Sequence, residues 1–148
     1  MDEEFDEYTA DICELCSRVA GEAHTGQLRR DGQPYMQHPL RVADTCARHV
    51  GTGPLSNLFY CIAVLHDVLE DTSLGVDDLA ERGIPSLIVN QVVELTRRSG
   101  ESYEHYIKRV RKSHMLRVIK VADMLDNLCD DPTPAQKKRY TTAILQLL

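Results

Sequence analysis

Residues 61–72 read CIAVLHDVLEDT and bring His66, Asp67, Glu70 and Asp71 into one short stretch. His66 and Glu70 are four apart, as are Asp67 and Asp71, so a helix would crowd all four on one side of about one and a half turns. Carboxylates at that spacing repel, and the C-terminal end of a helix already carries partial negative charge; each effect costs about 0.3–1 kcal/mol when exposed. Beside an apolar core the cost grows, because unpaired desolvated charge is expensive. A bound divalent cation would reverse the sign of the local electrostatics. The competing account is a solvated helix end whose acids face water.

Two distant segments bear on that choice. In RVIKVADMLDNL, Asp123 falls on the side of its helix that carries Ile119 and Ala122, with Lys120 as the near partner that would otherwise satisfy it. His38 directly precedes Pro39 at the start of another helical pattern, where a capping or surface role is the ordinary one. Taken together, His38, His66, Asp67 and Asp123 come from three helical segments and make a coherent ligand set. Imidazole and carboxylate suit manganese, zinc or iron, and four protein ligands leave positions open for water and substrate.

The elements that must position these residues are helical throughout, and the expected class is all-α. A first helix is predicted over Glu3 to Ala23, followed by the polar, glycine-containing segment AHTGQLRRDGQPYMQ, too rich in turn formers to continue it. Pro39 sits where a first helical turn accepts it, and Leu40, Ala43, Cys46 and Val50 line that second helix. GTGP at 51–54 is a break. A third helix is predicted to carry the whole opening stretch, with Leu58, Ile62, Leu65 and Leu69 as its apolar side. Short helices are expected from Val76 to Arg82 and from Pro85 to Arg98, stopped by Gly83 and Gly100. Ser102 caps the next, with Tyr103, Tyr106, Ile107 and Val110 inward; HMLRVIKVADMLDNL follows, and Thr133 with Pro134 opens a last helix through Tyr140, Ile144 and Leu147.

With 148 residues, 43% apolar and 27% charged, the chain is expected to fold as a single globular domain spanning residues 1–148. The net charge of -6 disfavours a nucleic-acid surface and favours a small molecule or a protein as partner. No apolar run reaches membrane-span length and the acidic start MDEEFDEY lacks signal-peptide regions, so a cytoplasmic location without membrane contact is expected. Five cysteines are read as reduced thiols: Cys13 and Cys16 form a CxxC pair inside a helical pattern, but no second pair completes a zinc site. Oligomeric state is left open.

His38, the pair His66 and Asp67, and the distant Asp123 together resemble the HD superfamily of metal-dependent phosphohydrolases. More narrowly, AHTGQLRRDGQPYMQHPLRVA, HDVLEDT and KVADMLDN resemble the hydrolase domain of RelA/SpoT proteins and the small alarmone hydrolases. That resemblance implies an all-helical bundle around one manganese ion and removal of the 3′-pyrophosphate of (p)ppGpp to give GDP or GTP. It also implies His38, His66, Asp67 and Asp123 as metal ligands and Glu70 and Asp71 as catalytic acids. Arg29, Arg30, Tyr35, Asn127 and Tyr140 would contact the nucleotide.

The last block departs from the family's KLADRLHNMRT: Met124 replaces an arginine, Asp126 a histidine, and Cys129 a second arginine. Some cationic contacts to substrate are therefore expected to be missing. LTRRSGESYEHYIKRV also resembles shorter bacterial HD proteins described only as phosphohydrolases, and a synthetase domain is not expected within these 148 residues. Two alternatives stand beside the alarmone reading: hydrolysis of another nucleotide phosphate, such as a nucleoside monophosphate or NADPH, and a nucleotide-binding or antitoxin-type regulatory module with a protein partner. The intact Glu70 and Asp71 speak against a pure binder, which has no need of a proton-transfer pair, while an antitoxin acting by hydrolysis still fits.

Overall fold

A computed structural model describes residues 7–148. Among these residues the chain forms nine helices and no strand: α1 (Ala10–Ala23), α2 (Gln37–Val50), α3 (Pro54–Val64), α4 (Val68–Asp71), α5 (Val76–Glu81), α6 (Ser86–Leu95), α7 (Tyr103–Val110), α8 (His114–Leu128) and α9 (Pro134–Leu147). The all-α expectation holds, and no helix among the described residues is long and apolar enough to cross a membrane.

Helix α3 is apolar almost all round and is therefore central. Leu58, Phe59, Cys61, Ile62, Ala63 and Val64 are all buried along it. It packs against α1, α2, α6 and α8, and α2 and α8 also meet each other, so the ligand-bearing segments surround one core. The caps follow the sequence: Ser102, Ser113 and Thr133 each accept a backbone N–H from the first turn of α7, α8 and α9, and Gln136 returns the bond to Thr133. All five cysteines are free thiols.

Three boundaries differ from expectation. The predicted first helix begins partly outside the described residues, and within them it starts only at Ala10, after an extended Thr9. Helix α6 ends at Leu95 and not at Arg98, because the Thr96 hydroxyl bonds back to the Val92 carbonyl at 2.8 Å and Thr96 turns extended. Arg109 then holds the exit from α6: it donates to the backbone carbonyls of Glu94 and Thr96 and forms a two-point pair with Glu101 at 2.9 and 3.0 Å.

The third difference matters for function. The opening stretch is not one helix: α3 stops at Val64, residues 65–67 make a tight turn, and α4 resumes at Val68. The His66 and Val68 amides bond three residues back, to Ala63 and Leu65, and the His66 ring occupies the Ala63 carbonyl at 2.6 Å. Adjacent residues on a regular helix do not face each other. The turn removes that restriction and lets His66 and Asp67 point to one place.

The Arg109 pair holds the Glu101 carboxyl down at about 2, against an ordinary value of 4.5. A depressed folded-state value stabilises the fold above the ordinary pKa and ceases to do so as pH falls through the folded one. Glu101→Gln is therefore expected to lower the denaturation midpoint at pH 7, with the gap to the parent narrowing below pH 4.5 and closing near pH 2. Midpoints measured across that range check this; a gap independent of pH would show that the charge of Glu101 contributes nothing.

Candidate metal centre and active-site cavity

The loop before α2 is a tight hairpin closed by a Leu28–Pro34 bridge, with Gly32 at positive φ donating to the Arg29 carbonyl. It delivers Tyr35 and then His38 on the first turn of α2. The turn after α3 delivers His66 and Asp67, and the middle of α8 delivers Asp123. One ligating atom from each of His38, His66, Asp67 and Asp123 lies within 4.8 Å of the other three. His38 Nε2 is 3.0 Å from Asp123 Oδ1 and 3.5 Å from Asp67 Oδ2; His66 Nε2 is 3.0 Å from Asp67 Oδ2 and 3.3 Å from Asp123 Oδ1. Atoms bound to a common ion at 2.0–2.2 Å stand about 3–4 Å apart, so these spacings suit a small divalent cation.

The hydrogen bonds on the far side of each ring set its tautomer. A carbonyl only accepts, so His66 Nδ1, 2.6 Å from the Ala63 carbonyl, carries the proton. His38 Nδ1 faces the Asp126 carboxylate at 2.6 Å and donates likewise. Both Nε2 atoms are thereby turned toward the centre, and both are buried without a hydrogen-bond partner. Orphaned buried nitrogens beside two buried carboxylates are what a metal would satisfy, and these four residues fit one.

The electrostatics agree. Burial pushes His38 down, but Asp123, Asp126 and Asp67 outweigh it and raise the ring to about 9; His66 is raised in the same way, chiefly by Asp67 and Asp123. Asp67 and Asp123 are held well below the carboxylate range against their burial, Asp67 mainly by His66 and Asp123 mainly by Lys120. Protons on the imidazoles thus occupy the electrostatic role of a cation, and metal binding would displace them.

Around the centre stands a supporting layer. Lys120 Nζ and Asn127 Nδ2 hold the two oxygens of Asp123 at 2.8 and 3.0 Å, all on α8 at helical spacing. The Tyr35 hydroxyl donates to Asp67 at 2.5 Å and reaches Asp71 at 3.3 Å. Tyr35, expected only as a nucleotide contact, therefore also fixes a carboxylate of the centre. Glu70 and Asp71 extend from α4 toward Asp67, and the three carboxylates converge within 4.8 Å. Burial, then the Asp67 charge, raises both Glu70 and Asp71 above the ordinary carboxyl value.

The centre opens into a cavity of about 390 Å³ lined by Asp67, Glu70, Asp71 and Asp123 and, across from them in composition, by Arg29, Arg97, Lys120 and Arg139. A neighbouring cavity of about 210 Å³ shares Arg29, Tyr35, Asn127 and Tyr140 and adds Arg30. All five residues expected at the nucleotide thus line one cavity or both. Arg29 is held by Asp130 at 2.9 Å and Asn127 at 3.3 Å, whereas Arg30 is exposed and bonds only the Asp131 carbonyl.

The departures in the last block look different in three dimensions. Met124 is fully buried, Cys129 is exposed, and neither lines a cavity with the centre. Asp126 does not stand in for a lost cationic contact; it orients His38 and is itself held by Arg41 at 2.8 and 3.1 Å. Sequence reading also missed Arg97, Tyr103, Tyr106 and Arg139 on the cavity wall, and the buried His24 whose ring sits 4.9 Å from Tyr35. None of these carries a local signal; they arrive from the end of α1, the loop after α6, α7 and α9.

A family model for the HD domain matches residues 35–128. The chain belongs to the HD domain family. Its HD region is similar to larger proteins: 34% identity over 125 residues to a probable GTP pyrophosphokinase of Mycobacterium leprae, covering 79% of this chain and 15% of that one. It is 33% identical over 142 residues to a guanosine-3′,5′-bis(diphosphate) 3′-pyrophosphohydrolase of Haemophilus influenzae, covering 87% and 20%. The chain spans about a fifth or less of these relatives. Among solved structures, one described as a metazoan ortholog of SpoT that hydrolyzes ppGpp and plays a role in starvation responses matches with a TM-score of 0.76 and 25% identity, covering 95% of this chain and 85% of that one.

Asp126→Ala removes the acceptor that holds the His38 ring without touching the four convergent atoms. It is expected to weaken divalent-metal binding by about 10- to 100-fold, read by titration of bound metal. Unchanged affinity would show that His38 needs no outer partner.

Proposed function

We propose that this chain is a manganese-dependent hydrolase that removes the 3′-pyrophosphate of (p)ppGpp, giving GDP or GTP and pyrophosphate. The observation that carries this reading is the pair of orphaned imidazole nitrogens facing Asp67 and Asp123, two residues that line a cavity also walled by the exposed carboxyls of Glu70 and Asp71. The ppGpp activity named for the SpoT ortholog and the Haemophilus relative supports the choice of substrate. His38, His66, Asp67 and Asp123 would hold the ion. Bound there, manganese would shield the anionic phosphate oxygens and lower the pKa of a water toward neutrality.

The protein's own residues do the rest. Water adds to the phosphorus next to the ribose 3′-oxygen, that P–O bond breaks, and the oxygen leaves with a proton. Glu70, with its raised pKa, is suited to take the proton from the attacking water and return it to the leaving oxygen. Asp71, tied to Tyr35, orients that water. The smaller cavity would take the nucleoside, with the Arg29 guanidinium, locked in place by Asp130 and Asn127, offering a flat donor edge that needs no ordering on binding. Arg30, Asn127 and Tyr140 complete that wall. A nucleotide substrate and five free thiols fit work in the cytoplasm.

Purified protein with added manganese is expected to release pyrophosphate from ppGpp. Asp67→Ala is expected to lose both bound metal and turnover. Glu70→Gln is expected to keep its metal and lose about 10²- to 10⁴-fold in kcat. Metal-loaded protein that leaves ppGpp intact while cleaving another nucleotide phosphate would overturn the assignment of substrate.

A further inference from the structure

The cations of the larger cavity are not equivalent. Arg29 is paired with Asp130 at 2.9 Å and Lys120 with Asp123 at 2.8 Å, so their charge is already compensated within the fold. The guanidinium groups of Arg97 and Arg139 form no ion pair among the described residues, although the Arg97 backbone N–H donates to the Glu70 carboxylate. Arg97 Nε donates to the Glu101 backbone carbonyl at 2.8 Å, and Arg139 reaches only the hydroxyl of its neighbour Tyr140 at 3.4 Å.

These two come from different elements, the loop after α6 and the face of α9, yet they flank one ring. Their guanidinium carbons lie 5.9 and 5.0 Å from the centroid of Tyr103, which also lines the cavity. Two uncompensated positive charges at one aromatic ring repel each other, and the ring face offsets only part of that. The Arg97 loop does not drift to relieve it, because Arg109 pins its two ends through the Glu94 and Thr96 carbonyls and Glu101. An anion between the two arginines removes the repulsion and gains planar, charge-assisted donors.

Asp67, Glu70 and Asp71 make the wall around the centre repulsive to any phosphate that is not itself shielded there. A substrate that carries phosphate at two positions must place the second elsewhere in the cavity. We propose that Arg97 and Arg139, on either element beside Tyr103, form an anion subsite for the phosphate groups that are not cleaved. On the reading above, from which this follows, those are the 5′-phosphates of (p)ppGpp. The subsite makes the enzyme selective for nucleotides phosphorylated at both ends of the ribose.

The test uses guanosine, GMP, GDP and GTP as probes, titrated calorimetrically into the protein as purified, into Arg97→Gln and Arg139→Gln, and into the double variant. For the parent, each of the first two 5′-phosphates is expected to tighten binding by roughly tenfold. Each single variant is expected to lose part of that gain, and the double variant to bind all four probes alike. Both side chains are exposed, and far-ultraviolet circular dichroism checks that the variants remain folded. An undiminished gain in the double variant, or no gain in the parent, overturns the subsite. ppGpp turnover is measured in parallel on the parent protein: its absence with the phosphate gain intact would refute the proposed reaction and leave the subsite standing.

Discussion

Two imidazole nitrogens and two carboxylate oxygens gathered within a few ångströms, all from buried residues, form the constraint on which this structure turns. Left alone, such a group is costly, because burying charge without partners costs several kcal/mol per ion. The chain answers by giving each of these residues a supporting partner. Asp126 and the Ala63 carbonyl take the far sides of the two histidines; Lys120 and Asn127 take Asp123; Tyr35 takes Asp67. Of the two histidines, only the Nε2 atoms remain without a hydrogen-bond partner, and they point inward. The helices are then obliged to meet there: α2 must start at His38, α3 must break at Leu65, and α8 must cross both.

From that centre outward, charge is graded. The carboxylates that face the imidazoles are held ionised, while the pKa values of Glu70 and Asp71, one turn further out and exposed, are raised above the ordinary carboxyl value. For the proposed reaction that placement matters, since one group beside the ion would accept a proton and return it. Beyond them the cavity changes sign. Some of its cations are neutralised by acids and serve as rigid shape; others stand uncompensated and are available to an anion.

Much of this was legible in the chain. Apolar residues at three- and four-residue steps, with Ser102, Thr133 and Pro134 at helix starts, mark nearly every helix of the structure. The clustering of His66, Asp67, Glu70 and Asp71 could be recognised as electrostatically costly and Asp123 as an acid beside an apolar stripe, whereas His38 at a helix start gained meaning only in combination with them. The break inside CIAVLHDVLEDT was not legible, because nothing in its periodicity distinguishes a helix from a helix interrupted by three residues. The early end of α6 was hidden for a related reason: it depends on the Thr96 hydroxyl turning back onto the Val92 carbonyl, with Arg109 from the following helix holding the exit, and periodicity encodes neither.

The sequence by itself determined the helical class, the positions of the caps and the types of side chain able to hold a cation, since these depend on neighbours three or four residues away. Only the tertiary structure decided which atoms meet. It made Asp126 a support for His38 where the one-dimensional comparison suggested a lost contact, moved Met124 into the core, and brought Arg97 and Arg139 to one ring from segments about forty residues apart. Convergence of that kind comes from packing several helices around α3, and no local spacing encodes it.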